Sequence, residues 1–461
     1  MPVAKVTYQP GFGNDFESEA LPDSLPKGQN NPREAPYGLY AEQLSGTAFT
    51  APRKCVLGLG GIAGERTRNY RERACHKNDG GTGFELRPFA PLPHAALTGD
   101  FATCKATPNQ LRWAPFEYAP SARTFVDSLF TVCGAGSAAS KSGYAIHMYA
   151  ATASMGRTAF ANADGDLLIV PQEGALLART ECGVLEVSPG EILVVQRGMR
   201  FRLDLPEGRA RGYVLEVFAG HFQLPDLGPI GANGLANPRD FLSPVASYEE
   251  EDGVEHRVVH KFEGELFEAR QDFSPFNVVA WHGNYVPYKY DLSKFCPVNA
   301  VAFDHPDPSI FTVLTCPSDR PGTAVADFVI FPPRHVVAEH TFRPPYFHRN
   351  VMSEFMGLIR GEYDAKSGGF VPGGASLHMC MTPHGPDAQS YANAIKPEAE
   401  KLGHLPRNTL AFMFETYFTP RLTSHALELK TLEQDYYKVW EGLQNNFDAN
   451  WTCPRAKPNS N

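Results

Sequence analysis

The part of the chain that decides the fold is a run of short apolar segments separated by turns: residues 164–207 read DGDLLIVPQEGALLARTECGVLEVSPGEILVVQRGMRFRLDLPE. The apolar runs at 167–170, 184–187 and 192–195 lie between prolines and glycines, which are turn residues. In 201–205, Phe and Leu alternate with Arg and Asp, which is the two-residue period of a half-buried strand. Strands of this length joined by turns predict an antiparallel sandwich or jelly roll, and we interpret the segment as scaffold.

Composition extends this prediction to the whole chain of 461 residues. The 41 glycines and 39 prolines exceed average usages of about 7% and 5%, which favours many turns over a helical bundle. Seven of the 15 histidines fall between residues 282 and 384, so the composition changes near 285–295. We therefore predict a mainly β chain that is divided at this change into a domain at 1–290 and a domain at 291–461.

Charge and cysteine content argue against several kinds of partner and compartment. The net charge is −9 and no basic domain is present, so no nucleic acid partner is expected. No run of 18 apolar residues occurs, so no membrane span is expected. The first 20 residues carry no secretion signal and the nine cysteines form no CxxC pair, so we expect free thiols in a reducing cytoplasm.

One helix is predicted near the end of the chain. Apolar residues recur at three- and four-residue steps from Leu429 to Leu443, through Leu432, Tyr436 and Val439, with charged residues between them. This is the period of an amphipathic helix, and we interpret the segment as a helix packed on a sheet.

A glycine-rich segment at 58–63 reads GLGGIA, which has the spacing of a dinucleotide-binding loop. Only a three-residue apolar run precedes it and no helical period follows, so we reject a nucleotide site. The chain also lacks HExxH, GxxxxGK and GxSxG. The commonest zinc-protease, P-loop and serine-hydrolase classes are therefore excluded.

The strongest candidate for chemistry lies between His335 and His384. His348 and Glu354 are six residues apart, and an even spacing places both side chains on one face of an extended segment. His384 follows Glu354 by 30 residues, far enough for another strand of the same sheet to return. Two imidazoles and one carboxylate would form a facial triad with open coordination positions, as non-heme Fe(II) uses to bind substrate and O2. The same donors suit zinc, so the ligand types leave the metal open.

Other residues near this stretch compete with the triad or complement it. His335, His340 and His378 are alternative ligands on spacing alone. Positions 334, 343, 349 and 360 are arginine within 27 residues that contain no lysine, and guanidinium groups pair with carboxylates, so an anionic substrate is conceivable. His305 follows an apolar run at 298–302 and lies where a strand end could present a general base; a turn histidine flanked by two aspartates is the alternative.

Long stretches of the chain resemble the homogentisate 1,2-dioxygenase family over nearly the full length. The matching stretches are GFGN at 11–14, LYAEQLSG at 39–46, PNQLRW at 108–113, residues 224–240, FNVVAWHGNY at 276–285, residues 343–361 and residues 382–387. The chain departs from the family pattern at about 54–85, where relatives carry a segment of Arg-Ser-Trp-Leu-Tyr-Arg type. Phe347 also stands where a tyrosine is common in relatives. Neither departure touches the triad.

The resemblance implies a large N-terminal β-sandwich domain and a C-terminal cupin-like jelly roll with few helices, assembled as a homo-hexamer that is a dimer of trimers. It implies that His348, Glu354 and His384 bind Fe(II), that His305 accepts a proton, and that Tyr363 and His384 contact the substrate. The implied reaction is cleavage of the homogentisate ring by O2 to give maleylacetoacetate, in tyrosine and phenylalanine catabolism. The alternatives are a gentisate-type ring-cleaving dioxygenase, a non-oxidative jelly-roll isomerase that uses zinc or manganese, and a non-catalytic binding sandwich.

Overall fold

The computed structural model describes most of the chain, namely residues 6–12, 16–25, 40–42, 73–76, 88–226, 236–296, 308–333, 346–363, 365–366, 368–396 and 408–451. His305, His335 and His340 lie outside these residues, as do the segment at 58–63 and the divergent stretch at 54–85 apart from 73–76. In the described part of the chain, every helix is too short or too polar to cross a membrane.

Strands form most of the regular structure. In chain order they are β1 (Tyr8–Pro10), β2 (Phe16–Glu19), β3 (Tyr40–Glu42), β4 (Arg73–His76), β5 (Ala90–Leu92), β6 (Leu111–Trp113), β7 (Phe130–Ser137), β8 (Ser142–Ala151), β9 (Thr158–Asn162), β10 (Asp166–Glu173), β11 (Leu176–Thr180), β12 (Gly183–Val187), β13 (Glu191–Val195), β14 (Phe201–Asp204), β15 (Ala210–Val217), β16 (Phe241–Pro244), β17 (Asp252–Phe262), β18 (Glu265–Phe273), β19 (Val278–Gly283), β20 (Tyr288–Asp291), β21 (Thr312–Pro317), β22 (Ala324–Phe331), β23 (Ser353–Arg360), β24 (Ala375–His378), β25 (Leu410–Thr416) and β26 (Arg421–Leu422).

Helices are short within the described residues. The α-helices are α1 (Phe125–Ser128), α2 (Ala388–Ala394) and α3 (Ser424–Glu428). Single turns of 3₁₀ helix occur at Pro238–Asp240, Leu292–Lys294, Pro308–Phe311 and Tyr436–Trp440. The prediction of a mainly β fold with few helices is confirmed.

The strands form four sheets. A nine-stranded sheet has the order β1-β16-β20-β13-β10-β15-β8-β7-β26, and a seven-stranded sheet has the order β12-β11-β14-β9-β17-β18-β5. A four-stranded sheet has the order β2-β19-β4-β3, and a six-stranded sheet has the order β21-β22-β25-β23-β24-β6. The last sheet consists mainly of strands from the C-terminal part of the chain, and it includes β6 from far upstream. The division at 290 stays a prediction.

The nine-stranded sheet is buried on both faces, which explains its continuous apolar runs. Successive side chains of a strand point to opposite faces. In β10, Leu167 and Ile169 belong to the core shared with the seven-stranded sheet. Leu168 and Val170 belong to the core shared with the six-stranded sheet. A slip of one residue would exchange these faces, so the two cores fix the register of the central layer.

The strands predicted at 164–207 are present as β10 to β14, with bounds close to the apolar runs. In β14, Phe201 and Leu203 are buried whereas Arg202 and Asp204 are partly exposed, as the alternation predicted. Arg202 reaches across to Glu249, at 2.9 Å from Nη2 to Oε1. The polar side of this strand is therefore held by an ion pair at the surface of the sandwich.

The helix predicted from Leu429 to Leu443 is wrong. Leu432 forms an antiparallel bridge with Trp113 of β6. The backbone N–H of Glu433 donates to the carbonyl of Arg112 at 2.9 Å, and the N–H of Ala114 donates to the carbonyl of Thr431 at 2.8 Å. Hydrogen bonds to a distant strand thus replace those of a helix. The helical part of the segment is the 3₁₀ helix at Tyr436–Trp440. Tertiary pairing has overridden a local helical period.

Candidate metal centre

The candidate site is built on three adjacent strands of the six-stranded sheet. Glu354 lies on β23, opposite His378 of β24 and Glu415 of β25. Residues opposite one another in an antiparallel pair project from the same face. One face of the sheet therefore brings two carboxylates and an imidazole side by side, next to the loops that precede β23 and follow β24.

Those two loops bring the other two predicted ligands to Glu354. His348 precedes β23, His384 follows β24, and the two residues form an isolated antiparallel bridge. The His348 N–H donates to the His384 carbonyl at 2.9 Å, and the His384 N–H donates to the His348 carbonyl at 3.1 Å. A Cβ added at Gly385 would lie 2.5 Å from Phe347, so glycine is needed where these loops meet. The bridge fixes the histidines independently of any metal.

Both histidines present Nε2 to the Glu354 carboxylate. Nε2 of His384 lies 3.1 Å from Oε2, and Nε2 of His348 lies 3.4 Å from Oε1. The other ring nitrogens face backbone carbonyls: Nδ1 of His348 is 2.7 Å from that of Tyr346, and Nδ1 of His384 is 3.0 Å from that of Thr382. A carbonyl only accepts, so each Nδ1 carries a proton, and when the ring is neutral its Nε2 has the lone pair that can bind a cation.

The spacing and chemistry of these atoms fit a metal ion. One ligand atom from each of His348, Glu354 and His384 lies within 4.8 Å of the others. In the part of the chain that the structure describes, no other group of three such side chains meets this test. Two imidazole nitrogens and one carboxylate oxygen suit iron or zinc and leave coordination positions open.

Charge at the site favours a cation. Burial raises the pKa of Glu354, but the imidazoles of His348, His378 and His384 around it outweigh burial, so this pKa lies well below its ordinary value. The hydrogen bond to Glu354 raises the pKa of His348. Burial, followed by the charge of Lys366, lowers the pKa of His378 to about 3. The site thus combines an ionised carboxylate with a neutral imidazole behind it.

Of the three candidate ligands, His348 is the one exposed to solvent in the described part of the chain. The His348 side chain is 40% exposed, whereas those of Glu354 and His384 are 8% and 5% exposed. Apolar side chains around His348 are also exposed, and they are Tyr346, Phe347, Val351 and Met381. In the described part of the chain, His348 and this apolar rim are therefore the exposed part of the site.

Sequence reasoning missed two groups that hold Glu354. Asn350 Nδ2 donates to Glu354 Oε1 at 3.1 Å and to Glu415 Oε1 at 2.8 Å, so one amide bridges the two carboxylates. The even spacing of 348, 350 and 354 could have indicated Asn350, because these positions share a face of an extended segment. Glu415 is distant in sequence and carries no comparable signal.

Tyr363 lies beyond the end of β23, at 5.7 Å between ring centroids from Phe331 and 6.1 Å from Phe370. It is partly buried against the C-terminal core. Among the other candidates, His378 stacks on His384 with centroids 4.4 Å apart. His305, His335, His340, Arg334 and Arg343 lie outside the described residues.

A second cluster of buried charges lies in the N-terminal part of the chain. Lys261 Nζ is 2.5 Å from Asp164 Oδ2 and 2.9 Å from both oxygens of Glu216. Glu216 also lies 2.9 Å from Nε2 of His147 and accepts a hydrogen bond from Asn162. Here the chain supplies its own cation, so the carboxylates need no metal.

The mainly β fold and the two-histidine, one-carboxylate cluster together define the class of a β-sheet protein with a candidate metal centre. Sequence comparison narrows this class. A family model described as "Homogentisate 1,2-dioxygenase N-terminal" matches residues 7–292, and one described as "Homogentisate 1,2-dioxygenase C-terminal" matches residues 293–447. The chain belongs to the homogentisate 1,2-dioxygenase family.

Individual relatives support this assignment. The homogentisate 1,2-dioxygenase of Oryza sativa subsp. japonica is 58% identical over 449 residues, covering 95% of this chain and 92% of the relative. That of Arabidopsis thaliana is 56% identical over 96% of this chain and 94% of the relative, and that of Homo sapiens is 52% identical over 99% and 100%. A solved quercetin 2,3-dioxygenase from Acinetobacter baumannii matches weakly, with 7% identity and a TM-score of 0.25 over 69% of this chain and 85% of that one.

Proposed function

We propose that this chain cleaves the aromatic ring of homogentisate with O2 to give maleylacetoacetate, at an Fe(II) ion held by His348, Glu354 and His384. The observation that carries the proposal is the convergence of two Nε2 atoms on one buried carboxylate in a chain of this family. Iron(II) bound there would let O2 and the ring exchange electrons, which triplet O2 and a singlet aromatic ring do poorly without a metal.

The charge of the site suits an anionic substrate. One carboxylate and two neutral imidazoles around a doubly charged ion leave a formal charge of +1. A phenolate oxygen approaching past His348 would therefore be attracted to the site. The apolar rim beside His348 would accommodate the faces of an aromatic ring and exclude water from them.

The remaining roles rest on the family resemblance. His305 would accept the phenol proton as substrate binds, a task that suits an imidazole because it titrates near neutrality. Tyr363 would orient the substrate with its hydroxyl, and His384 would contact the substrate as well as the metal. An arginine would offset the acetate charge; Arg349 is the described candidate, because the guanidinium of Arg360 lies against Gly190 instead.

Oxygen uptake tests this proposal. Protein loaded anaerobically with Fe(II) is given homogentisate, and dissolved O2 and ring-opened product are followed together. We expect one O2 consumed per ring opened by the wild type and by Glu441→Gln, which changes an exposed carboxylate. We expect no uptake and no retained iron in Glu354→Gln. Undiminished uptake by Glu354→Gln would move the metal elsewhere.

The same assay separates the three alternatives, none of which any observation favours. A non-catalytic binding sandwich would consume no O2 and would keep its function without Glu354. Folded, iron-loaded protein that ignores homogentisate and consumes O2 with gentisate would be a sibling dioxygenase. Turnover without O2 in the presence of zinc or manganese would indicate an isomerase. Each of these results would overturn the proposed reaction.

We also propose the organisation that the resemblance implies: domains at 1–290 and 291–461, and a homo-hexamer built as a dimer of trimers. A cytoplasmic setting is supported by cysteines outside any disulfide, such as Cys104, Cys133, Cys296, Cys316 and Cys380. Light scattering coupled to size-exclusion chromatography would test the assembly. A mass other than six times 50.7 kDa would contradict it.

A further inference from the structure

A series of side-chain contacts connects the C-terminal 3₁₀ turn with the back of the candidate metal centre. The Tyr436 hydroxyl lies 3.1 Å from Nε2 of His378. On the other side of that ring, Nδ1 of His378 lies 3.9 Å from Oε2 of Glu354. The rings of His378 and His384 are stacked, with an interplanar angle of 21°. His378 thus touches two of the three proposed ligands from behind.

The tautomer of His378 decides whether a proton or a lone pair on Nδ1 faces the Glu354 carboxylate. A neutral imidazole carries one proton, and the ionised carboxylate of Glu354 only accepts hydrogen bonds. A proton on Nδ1 would face Glu354 Oε2 and attract it, whereas a lone pair on Nδ1 would repel it. A hydroxyl can donate or accept; with the Nδ1 proton facing Glu354, the Tyr436 hydroxyl donates to Nε2 and stabilises that tautomer.

The position of the Tyr436 ring does not depend on its hydroxyl. The guanidinium of Arg112 lies over the ring at 4.6 Å from its centroid. That guanidinium is held by Glu433, at 2.8 Å from Nε and 2.5 Å from Nη2, and by the carbonyl of Gly368 at 3.0 Å. Lys366 Nζ lies 5.6 Å from the same ring. A phenylalanine at 436 would keep these contacts and lose only the hydrogen bond to His378.

We propose that Tyr436 is a positioning residue that acts through His378: its hydroxyl fixes the tautomer of His378 and thereby the orientation of the Glu354 carboxylate toward the metal. This inference rests on the proposed function, because it requires a metal between His348, Glu354 and His384. Tyr436 meets the site through the hydrogen bond of its hydroxyl to His378. The segment around it, which pairs with β6 through Leu432, becomes the rear support of the site.

The metal affinity of the full-length protein tests the proposal without any measurement of turnover. Metal-free wild type, Tyr436→Phe and Tyr437→Phe are titrated with Co(II) against a chelator, and the visible absorption of bound Co(II) is recorded. Tyr437 is the matched control because it is adjacent and 57% exposed. We expect Tyr436→Phe to bind Co(II) about tenfold more weakly, as is typical when a partner of a metal ligand is lost, and to show an altered spectrum. Tyr437→Phe should match the wild type.

A double-mutant cycle tests whether the effect passes through His378. In a His378→Gln background, Tyr436→Phe should cause no further loss of affinity, because the residue that it positions is gone. An independent tenfold loss in that background would overturn the proposal. So would a wild-type affinity and spectrum in Tyr436→Phe. The unfolding midpoint of each metal-free variant separates a local effect on the site from a general loss of stability.

Neutron diffraction from wild-type crystals provides a test that needs no variant. We expect a deuteron on Nδ1 of His378 and the Tyr436 hydroxyl deuteron directed at Nε2. A deuteron on Nε2 would overturn the proposal even if metal binds as proposed. If wild type and Glu354→Gln bind Co(II) equally, the proposed function fails first, and this inference fails with it.

Discussion

The two clusters of buried charge in this molecule differ in the positive partner that each gives to a buried carboxylate. Glu216 and Glu354 are both buried carboxylates with histidine beside them, and the pKa of each lies below its ordinary value. Beside Glu216, the chain places the ammonium group of Lys261. Beside Glu354, it places two Nε2 atoms that can bind a cation when their rings are neutral. A buried carboxylate needs a positive partner. Glu216 has one from the chain itself, whereas the proposed partner of Glu354 is a bound cation.

The pKa values express the same difference. Burial raises the pKa of Glu216, but Lys261 first and His147 next outweigh burial and lower it to about 2. Burial and opposing charges act on Lys261 as well, and the net effect of Glu216 and Asp164 is to raise its pKa. Both members of this pair are therefore charged across the neutral range. The N-terminal cluster carries its own cation, whereas the C-terminal cluster is a candidate metal site.

The largest effect should follow from removing the internal cation. Lys261→Met leaves Asp164 and Glu216 buried without a positive partner, and we expect a loss of about 3–5 kcal/mol in the free energy of unfolding. Urea unfolding of metal-free protein measures it. Lys438→Met, at an exposed pair with Asp435, is the control and should change nothing measurable. A loss below about 1 kcal/mol for Lys261→Met would show that the cluster does not need its cation.

The next effect should come from supplying the external cation. A metal at about 100 times its dissociation constant should stabilise the folded wild type by about 2.7 kcal/mol. Glu354→Gln should abolish this gain because it removes the only charged donor of the three. Unfolding midpoints with and without Co(II) measure it. If Glu354→Gln is stabilised as much as the wild type, the cation binds at another place.

A smaller effect should follow from loss of the amide that bridges Glu354 and Glu415. Asn350→Ala should weaken Co(II) binding about tenfold, or about 1.4 kcal/mol, because Glu354 loses a hydrogen bond that orients it. Competition with a chelator measures the affinity. The exposed Asn393→Ala serves as the control. Equal affinities for the two variants would remove Asn350 from the account of the site.

The smallest effect is on the pH dependence of the unfolding midpoint, which should have opposite signs with and without metal. The pKa of His348 is raised by its hydrogen bond to Glu354, so in metal-free protein its contribution to stability is complete below about 6.5 and is lost as pH rises through the raised value. Metal binding needs the neutral ring, so affinity should fall as pH falls through the same range. Unfolding midpoints between about pH 6 and pH 9, with and without Co(II), should diverge. Parallel trends would contradict the assignment of His348 as a ligand.

Much of the fold could be predicted from the sequence, because it depends on local patterns. The runs at 167–170 and 192–195 predicted strands, and burial on both faces explains why they do not alternate. The even spacing of His348 and Glu354 and the return of His384 predicted three side chains that do converge. These predictions need only the two-residue period of a strand and the number of residues that the chain needs to return to the same sheet.

The remainder depends on contacts between distant segments. The helical period after Leu429 was misleading because β6, more than 300 residues upstream, pairs with that segment. The roles of Glu415 and Tyr436 beside the site arise from register between strands and from packing of the last turn. No local pattern carries that information. The signal for Asn350 was available, but only once Glu354 was known to be the centre of the site.

The most direct test of the comparison between the two clusters is anomalous diffraction at the iron absorption edge, from crystals of full-length protein loaded anaerobically with Fe(II). We predict one peak per chain, within about 2.3 Å of Nε2 of His348, Nε2 of His384 and an oxygen of Glu354, and no peak beside Lys261. Iron bound at Asp164 and Glu216, or at a site that excludes Glu354, would contradict the account.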